Sequence, residues 1–220
     1  MSLCRELRFY FDHVPRSAAL NMALDEAIFE STAIPALRAY RWDHAALSFG
    51  YFGKFSDVER WSAERDVVRR WTGGGIVFHG DDLTYSLTLP ANGASLPTSR
   101  LVYSEVHAAM RDALRAYGQA SELARADSSR VSEACFERPV AADLMQGPRK
   151  IAGAAQRRNR RGLLQQGSAQ IGNLPDQFVV DFAQYLCPET QPEEVPAQLI
   201  ARAEEIATER YASSDWLHRR

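Results

Sequence analysis

Hydrophobic and polar residues alternate strictly between Asp82 and Leu89. A period of two is that of a β-strand, so this segment predicts a strand with one buried face and one polar face. A helical spacing begins after Ser17, which is a typical N-cap residue. The apolar positions of that predicted helix are Leu20, Ala23, Leu24, Ala27 and Ile28.

Shorter patterns complete the order of elements. Thr98 caps a second predicted helix that ends near Gly118, and two more helices close the chain, over Asp176 to Leu186 and Glu194 to Tyr211. We expect a single α+β domain over residues 1–220, without an accessory C-terminal domain. Its sheet is mixed and largely antiparallel, flanked by helices that cover one side. The further predicted strands are Leu7–Phe11, Leu37–Trp42, Ala46–Tyr51, Val67–Arg70, Ile76–His79, Asp143–Met145, Lys150–Gln156 and Leu163–Ile171.

Composition and charge exclude several classes of protein. Hydrophobic residues make up 45% of the 220 and charged residues 25%, which is ordinary for a globular domain and excludes a disordered chain. A net charge of −2 gives no polycationic surface for nucleic acid. No apolar run approaches the roughly 18 residues that span a membrane, and the N-terminus has charges where a signal peptide is apolar. We therefore expect a cytoplasmic protein that binds neither nucleic acid nor membrane.

The three cysteines are widely separated, form no C-x-x-C pair, and stand beside five histidines without a metal-binding spacing. We expect no transition-metal site, and free thiols in a reducing compartment. Cys135 lies in an irregular loop 15 residues before Lys150. Cationic surroundings lower a thiol pKa and make it a nucleophile, whereas a free cysteine is otherwise a small buried apolar residue.

Three consecutive glycines, Gly73 to Gly75, lie between two predicted strands. Glycine permits positive φ and close backbone approach, and exposed N–H groups in such a loop can hold a carboxylate, a phosphate or a thioester carbonyl. No lysine follows as in a P-loop, and no G-x-G-x-x-G opens a helix, so two common nucleotide motifs are absent. The alternatives are a simple hairpin turn and, for the nearby His79, a structural histidine.

Only two of the 26 basic residues are lysines, Lys54 and Lys150. Genomic base composition explains such a bias, but a retained lysine can mark a place that needs a compact ammonium. Lys150 precedes the small residues Ala152 to Ala155, which leave room for a ligand, and an ammonium there can polarise an acyl carbonyl or hold a phosphate. The alternative is a solvated strand end. The arginines that follow are interpreted as solvated or as a docking face for an acidic partner: Arg157, Arg158, Arg160 and Arg161.

Five segments in collinear order resemble the superfamily of lipoate-protein ligases, octanoyltransferases and biotin-protein ligases. The pattern R-R-x-[ST]-G-G-G followed by a T-Y-S strand fits residues 69–86. The pattern G-R-K-[IV]-[AS]-G-[SAG]-A-Q-R fits residues 149–157, with Pro148 where glycine is usual. The resemblance implies the catalytic-domain fold of biotin and lipoate ligases. The other matching segments are Asn21–Ala27, Leu47–Phe52 and Gln165–Ser168.

The chain is most similar to cysteine-dependent octanoyltransferases, because Cys135-Phe136 precedes the lysine strand and the segment from Arg210 to Trp216 resembles their closing segment. The resemblance implies that Cys135 accepts octanoyl from octanoyl-acyl carrier protein and passes it to a lysine of a lipoyl acceptor domain. Such acceptors are the glycine cleavage H protein and 2-oxoacid dehydrogenase E2. Lys150 would polarise the carbonyl, and no cofactor is required. The implied substrate-binding residues are Arg70, Thr72, Gly73, Gly74, Gly75, His79, Asp143, Gly153 and Ala154.

Two other functions stay open. Asp143 stands where ATP-dependent lipoate-protein ligases often carry the residue that meets adenine. The alternative is therefore a ligase that uses free lipoate, ATP and Mg²⁺ and makes lipoyl-AMP. Gly80, which separates His79 from the aspartates, and Pro148 depart from the family pattern. The second alternative is a non-catalytic family member that binds an acyl group.

Overall fold

The computed structural model describes residues 4–93, 95–125, 139–172 and 174–219. Within these ranges the chain forms five α-helices and eleven strands. In chain order they are β1 (Arg8–Arg16), α1 (Ala18–Ser31), β2 (Ala36–Trp42), β3 (Ala46–Phe49), β4 (Asp66–Arg69), β5 (Val77–His79), β6 (Leu83–Pro90), α2 (Ser99–Ala116), β7 (Glu122–Leu123), β8 (Leu144–Gln146), β9 (Arg149–Asn159), β10 (Gly162–Ala169), α3 (Asp176–Leu186), β11 (Pro192–Glu193), α4 (Ala197–Ile206) and α5 (Ser214–Leu217).

Eight strands form one sheet in the order β11-β1-β2-β6-β10-β9-β8-β7. The pairs β11–β1 and β1–β2 are parallel, and the other five pairs are antiparallel. A second sheet has the order β4-β3-β5, in which β3 is parallel to β4 and antiparallel to β5. The predicted α+β fold with a mixed, largely antiparallel sheet is confirmed.

Helices cover both faces of the large sheet, so the expectation that they cover one side is wrong. The core that includes α2 and α3 contains Phe9 and Phe11 of β1. The core that includes α1 and α4 contains Tyr10, the residue between them. Successive side chains of a strand point to opposite faces, and here both faces are apolar. Both therefore need a covering layer.

Strand β6 departs from its predicted pattern for the same reason. Alternation predicted one buried and one polar face, but every residue from Leu83 to Leu89 is buried. Thr84 donates a hydrogen bond to the carboxylate of Asp82, and Ser86 donates one to Asp25 of α1. The polar face is therefore a buried, hydrogen-bonded layer under α1 and not a solvated surface.

The observed helix ends test the predicted starts of the helices. Ser17 caps α1 as predicted, and its hydroxyl accepts from the backbone N–H of Leu20. The last long helix begins at Ala197 and not at Glu194, because Pro196 occupies its N-cap and the two residues at 192–193 pair with β1. No helix among the described residues is both long enough and apolar enough to cross a bilayer.

Candidate functional site

A cavity of about 500 Å³, counting its open mouth, is lined by both sheets and by the glycine loop. Its floor is the side of the large sheet that faces α1. At about 4.8 Å between neighbouring strands, a row across four strands is about 14 Å long. One such row of paired residues is Gly153, Ser168, Thr84 and Tyr40.

Lys150 lies at one end of this row. Its Nζ is 2.8 Å from Asp143 Oδ2, and only 6% of its side chain is exposed. The lysine stem packs against Gly153, where an added Cβ would lie 2.5 Å from Cε and 2.7 Å from Nζ. The absence of a side chain at Gly153 therefore makes room for this lysine conformation, and both residues line the cavity.

Asp143 is fully buried, and three donors hold its carboxylate. Oδ2 accepts from the Lys150 ammonium and, at 2.7 Å, from the backbone N–H of Val140. Oδ1 accepts from the hydroxyl of Tyr103 on α2. Both carboxylate oxygens are thus engaged by protein groups, which fixes the carboxylate that binds the lysine.

Hydrogen bonds to residues 142 and 143 also hold Ala124 and Val140, which precede and follow residues 126–138. The Asp143 carbonyl accepts from the N–H of Ala124, and the Ala142 N–H donates to the Ala124 carbonyl, both at 2.8 Å. Val140, on the other side, bonds the Asp143 carboxylate. Cys135 itself lies outside the described residues.

The glycine loop is held by a backbone contact and by an arginine. Gly74 has a φ of +84°, and a Cβ on Gly50 would lie 2.0 Å from the Gly74 carbonyl oxygen. Arg70 donates to the carbonyls of Gly73 at 3.1 Å and Gly75 at 2.8 Å. The strands that the loop joins, β4 and β5, pair with β3 on opposite sides and not with each other. The hairpin-turn alternative is therefore wrong.

His79 belongs to a directed chain of hydrogen bonds at the cavity wall. Arg70 donates to Ser48 Oγ at 2.7 Å, Ser48 Oγ lies 2.6 Å from His79 Nε2, and His79 Nδ1 lies 2.9 Å from Asp82. Burial lowers the pKa of His79, although its bond with Asp82 opposes this effect. A neutral ring fits these partners, because Nδ1–H donates to the carboxylate and Nε2 accepts from the hydroxyl.

The end of the row opposite Lys150 is aromatic. Trp42 stacks on His79 with ring centroids 4.1 Å apart, and its Nε1 donates to Thr84 at 2.8 Å. Tyr40 and Met22 complete this wall. The polar atoms at this end of the cavity hydrogen-bond to one another. The surface available to a ligand therefore consists of aromatic rings and the Met22 thioether, which favours an apolar tail.

Arg157 does not behave as a freely solvated arginine. It is half-buried, with its guanidinium 4.3 Å from the ring centroid of Trp71 and 5.1 Å from that of Tyr51. It also donates to the Trp71 carbonyl at 3.2 Å. The other arginines of this group are exposed: Arg158, Arg160 and Arg161.

Most of the expected site residues gather at this cavity. Thr72 lies beside it, fully buried, where its hydroxyl donates to Gln166 at 2.8 Å. Among the described residues, no group of three His, Cys, Asp or Glu side chains could hold a metal ion. Expected residues that line the cavity are Arg70, Gly74, His79, Lys150, Gly153 and Ala154. Three further expected residues do not line the cavity but bond to Arg70 or Lys150, which do: Gly73, Gly75 and Asp143.

The sequence did not reveal the aromatic end of the cavity or the residues of α2 that hold Asp143 in place. Trp42 ends a predicted strand, and Ser48 lies within a family-like segment, but neither position by itself indicates a cavity. On α2, Tyr103 and His107 stand four residues apart among the inward apolar positions. Polar atoms on an inward helix face are the signal that identifies such a pair before a structure is known.

Comparison of sequences gives a matching family and several named relatives. A family described as the lipoyl protein ligase A/B catalytic domain matches residues 17–209. A protein named octanoyltransferase LipM from Oceanobacillus iheyensis is 36% identical over 177 residues, which are 76% of this chain and 65% of the relative. Its namesake from Carboxydothermus hydrogenoformans is 36% identical over 174 residues, 74% of this chain and 64% of the relative. The chain thus spans slightly less than two-thirds of the length of these relatives. For the namesake from Brevibacillus brevis, at 28% identity, the match covers 93% of this chain and 96% of the relative.

Comparison of structures gives the same fold. The structure of a lipoate-protein ligase A bound with ATP superimposes with a TM-score of 0.76 at 21% identity, covering 97% of this chain and 98% of that one. A bipartite lipoate protein ligase studied with its E2 lipoyl domain, from Thermoplasma acidophilum, gives 0.73 at 18% identity, covering 97% of both chains. At these identities the likeness concerns the fold alone, and that fold is the one expected from the sequence.

Proposed function

Because the chain belongs to the lipoyl protein ligase A/B catalytic domain family, we propose that it transfers an octanoyl group from a carrier thioester to a lysine of a lipoyl-type acceptor domain. The relatives named octanoyltransferase support this reaction. The observation that carries the proposal is the cavity with a buried Lys150 at one end and aromatic rings at the other. With C–C bonds of about 1.5 Å, an extended octanoyl chain is about 9 Å long. The extended chain is therefore shorter than the row.

The reaction has two steps in this proposal, both through Cys135, whose assignment rests on the sequence match. The thiolate of Cys135 attacks the carrier thioester, a new C–S bond forms and the carrier's C–S bond breaks, and the carrier sulfur leaves as a thiolate that takes up the proton Cys135 had lost. The acceptor lysine amine then attacks the acyl-cysteine, an amide forms, and the cysteine thiol is restored. Each attack places negative charge on the carbonyl oxygen, and the Lys150 ammonium stabilises that charge. No cofactor is required, because each step exchanges one acyl bond for another.

The other residues around the cavity have supporting roles. Gly153 leaves the space into which the lysine stem folds, and Asp143 holds the ammonium. Arg70 maintains the shape of the glycine loop at the cavity wall. The ring faces of His79 and Trp42 form the end that receives the acyl tail.

A second candidate is an ATP-dependent lipoate-protein ligase, because a solved structure of the same fold is a ligase bound with ATP. Such an enzyme would take free lipoate, with ATP and Mg²⁺. In it Asp143 would meet adenine, but here both oxygens of that carboxylate already accept from protein donors. This engagement favours the transferase.

Intact-protein mass spectrometry after incubation with octanoyl-carrier protein separates the candidates. The transferase predicts an octanoyl adduct on the wild type without ATP, and no adduct on Cys135→Ser. An unchanged adduct on Cys135→Ser would refute the cysteine mechanism. Acceptor labelling from free lipoate that needs ATP and survives Cys135→Ala would identify the ligase. Stabilisation by octanoate without transfer to any acceptor would identify a non-catalytic binding protein.

Lys150→Ala tests the oxyanion role. Loss of one donor to an oxyanion costs about 100-fold or more in rate, so transfer should fall by at least that factor. The matched control is Lys54→Ala, which removes the other lysine of the chain, an exposed one. A folded Lys150→Ala protein with the same kcat as Lys54→Ala would contradict the assignment.

A further inference from the structure

We propose that Tyr103 and His107, one turn apart on α2, are positioning residues that hold the Lys150 ammonium in place through Asp143. The catalytic consequence rests on the proposed function, because it uses the role given there to Lys150. The positioning itself is a property of the folded chain and has a readout that needs no enzyme activity.

Tyr103 connects the lysine's partner to the cavity wall. Its hydroxyl donates to Asp143 Oδ1 and accepts from the backbone N–H of Ala154 at 3.2 Å. Ala154 lies on β9 next to Gly153, against which the lysine stem is folded. One hydroxyl therefore joins the carboxylate and the strand between which the ammonium is held.

His107 holds the backbone immediately before Asp143. Its ring is fully buried and meets the Tyr103 ring edge to face, with centroids 4.4 Å apart. Nδ1 lies 2.7 Å from the Ala142 carbonyl, which can only accept, so Nδ1 carries the proton. Nε2 is then the acceptor facing the Tyr85 hydroxyl at 3.3 Å. Burial lowers the pKa of His107 to about 4, which keeps the ring neutral at physiological pH.

The residue that His107 bonds is conformationally unusual. Ala142 has a φ of +68°, in the left-handed region that residues with a Cβ rarely adopt. Such a conformation persists where the surroundings determine it, and the bond from His107 is one such constraint. Without that bond, relaxation of Ala142 would turn the backbone of Asp143 and move the carboxylate that holds Lys150.

Four variants separate positioning from general stability. Tyr103→Phe removes the hydroxyl and keeps the ring. His107→Leu removes the donor to Ala142, whereas His107→Asn places an amide N–H where Nδ1–H was. Tyr117→Phe is the matched control, because Tyr117 is the C-cap residue of α2 and its hydroxyl donates to a different carboxylate, Asp181, at 2.8 Å.

The first experiment measures how accessible the Lys150 amine is, using a water-soluble amine-acylating reagent and peptide mass spectrometry. The chain has only two lysines, so exposed Lys54 serves as the internal standard. We expect the labelling ratio of Lys150 to Lys54 to rise about fivefold in Tyr103→Phe and His107→Leu, the effect of one lost hydrogen bond. His107→Asn and Tyr117→Phe should keep the wild-type ratio. Wild-type ratios in both Tyr103→Phe and His107→Leu would overturn the proposal.

The second experiment measures octanoyl transfer by the same proteins. A misplaced ammonium lowers the stabilisation of the oxyanion and leaves binding of the acyl chain intact. We expect kcat to fall about tenfold in Tyr103→Phe and His107→Leu with KM within about twofold, and to recover in His107→Asn. A changed labelling ratio with no transfer by the wild type would refute the proposed function and leave the positioning supported. Equal kcat in Tyr103→Phe and Tyr117→Phe would overturn the catalytic part.

Discussion

Two single residues, Gly153 and His107, act on the Lys150 ammonium in different ways. Gly153 acts by lacking a side chain, since the lysine stem occupies the place where a Cβ would be. His107 acts by being neutral and buried, which lets it donate one defined proton to a carbonyl. Both act on the lysine through steric and hydrogen-bond constraints, so their substitution should change activity and pH response in different ways.

Gly153→Ala should lower octanoyl transfer at least tenfold, because the new Cβ displaces the lysine end by an ångström or so. The free energy of unfolding should fall by about 1–3 kcal/mol, because the added Cβ crowds the buried Lys150–Asp143 ion pair. Steady-state kinetics and urea unfolding measure the two effects. The control is Gly80→Ala, where an added Cβ meets nothing within 4 Å. Unchanged transfer in Gly153→Ala would contradict the role of the glycine.

His107 should make the protein sensitive to acid. Its pKa is about 4 in the folded chain and about 6.5 in the unfolded chain, so only the unfolded state gains this proton between those values. The stability that the neutral ring contributes is therefore present above pH 6.5 and is lost as pH falls toward 4, by about 3 kcal/mol. Urea unfolding at pH 7 and at pH 4 measures the drop in the free energy of unfolding between the two pH values. This drop should be about 3 kcal/mol smaller in His107→Asn than in the wild type. His44→Asn, at an exposed histidine, should match the wild type.

At the scale of elements, a buried polar layer joins α1 to the sheet beside the cavity. Arg38 of β2 is fully buried and bonds Asp12 at 2.7 Å and Asp25 at 3.0 Å. Asp25 also accepts from Gln166, which in turn accepts from Thr72 beside the glycine loop. The position of α1 and the shape of the loop are therefore linked through one ion-pair cluster.

Arg38→Leu should lower the free energy of unfolding by about 3–5 kcal/mol, because it removes the ion-pair partner of the buried Asp25 carboxylate, whereas Asp12 keeps its pair with Arg16. Arg41→Leu on the same strand should cost less than about 1 kcal/mol, since its partner Asp176 is largely exposed. Thermal and urea unfolding of the two variants give the comparison. Equal losses would show that the buried cluster has no special contribution.

At the scale of the whole molecule, the cavity exists because the small sheet closes over the large one. Ser48 and His79 come from β3 and β5, whereas Thr84 and Gly153 come from the large sheet. The cavity's length follows from the number of strands it crosses. Its aromatic end contains the indole of Trp42, which is fixed by His79 and Thr84.

Trp42→Ala should lengthen the cavity and shift its preference to longer chains. The ratio of kcat/KM for dodecanoyl-carrier to octanoyl-carrier thioester should rise at least tenfold, as about four added methylenes gain burial. The same variant should lose about 3–5 kcal/mol of stability, which urea unfolding measures. Trp61→Ala, outside the cavity lining, should leave the ratio unchanged. An unaltered ratio in Trp42→Ala would place the acyl tail elsewhere.

The sequence predicted what depends on near neighbours. Ser17 and the apolar stripe after it determined α1, the alternation from Asp82 to Leu89 determined β6, and the motifs at the glycine loop and Lys150 indicated the family and the centre of the site. These signals are local, because capping, periodicity and short motifs involve residues within one element. The single domain and the role of Cys135 stay predictions.

Only the tertiary structure determined which residues meet across the sheet and across the cavity. It buried the polar face of β6 and placed helices on both sides of the sheet. It also set Trp42 across the cavity from Lys150, and brought Tyr103 and His107 behind Asp143. These arrangements bring together residues some 35 to 110 positions apart in the chain. Their partners are chosen by strand order and register, which no periodicity within one segment encodes.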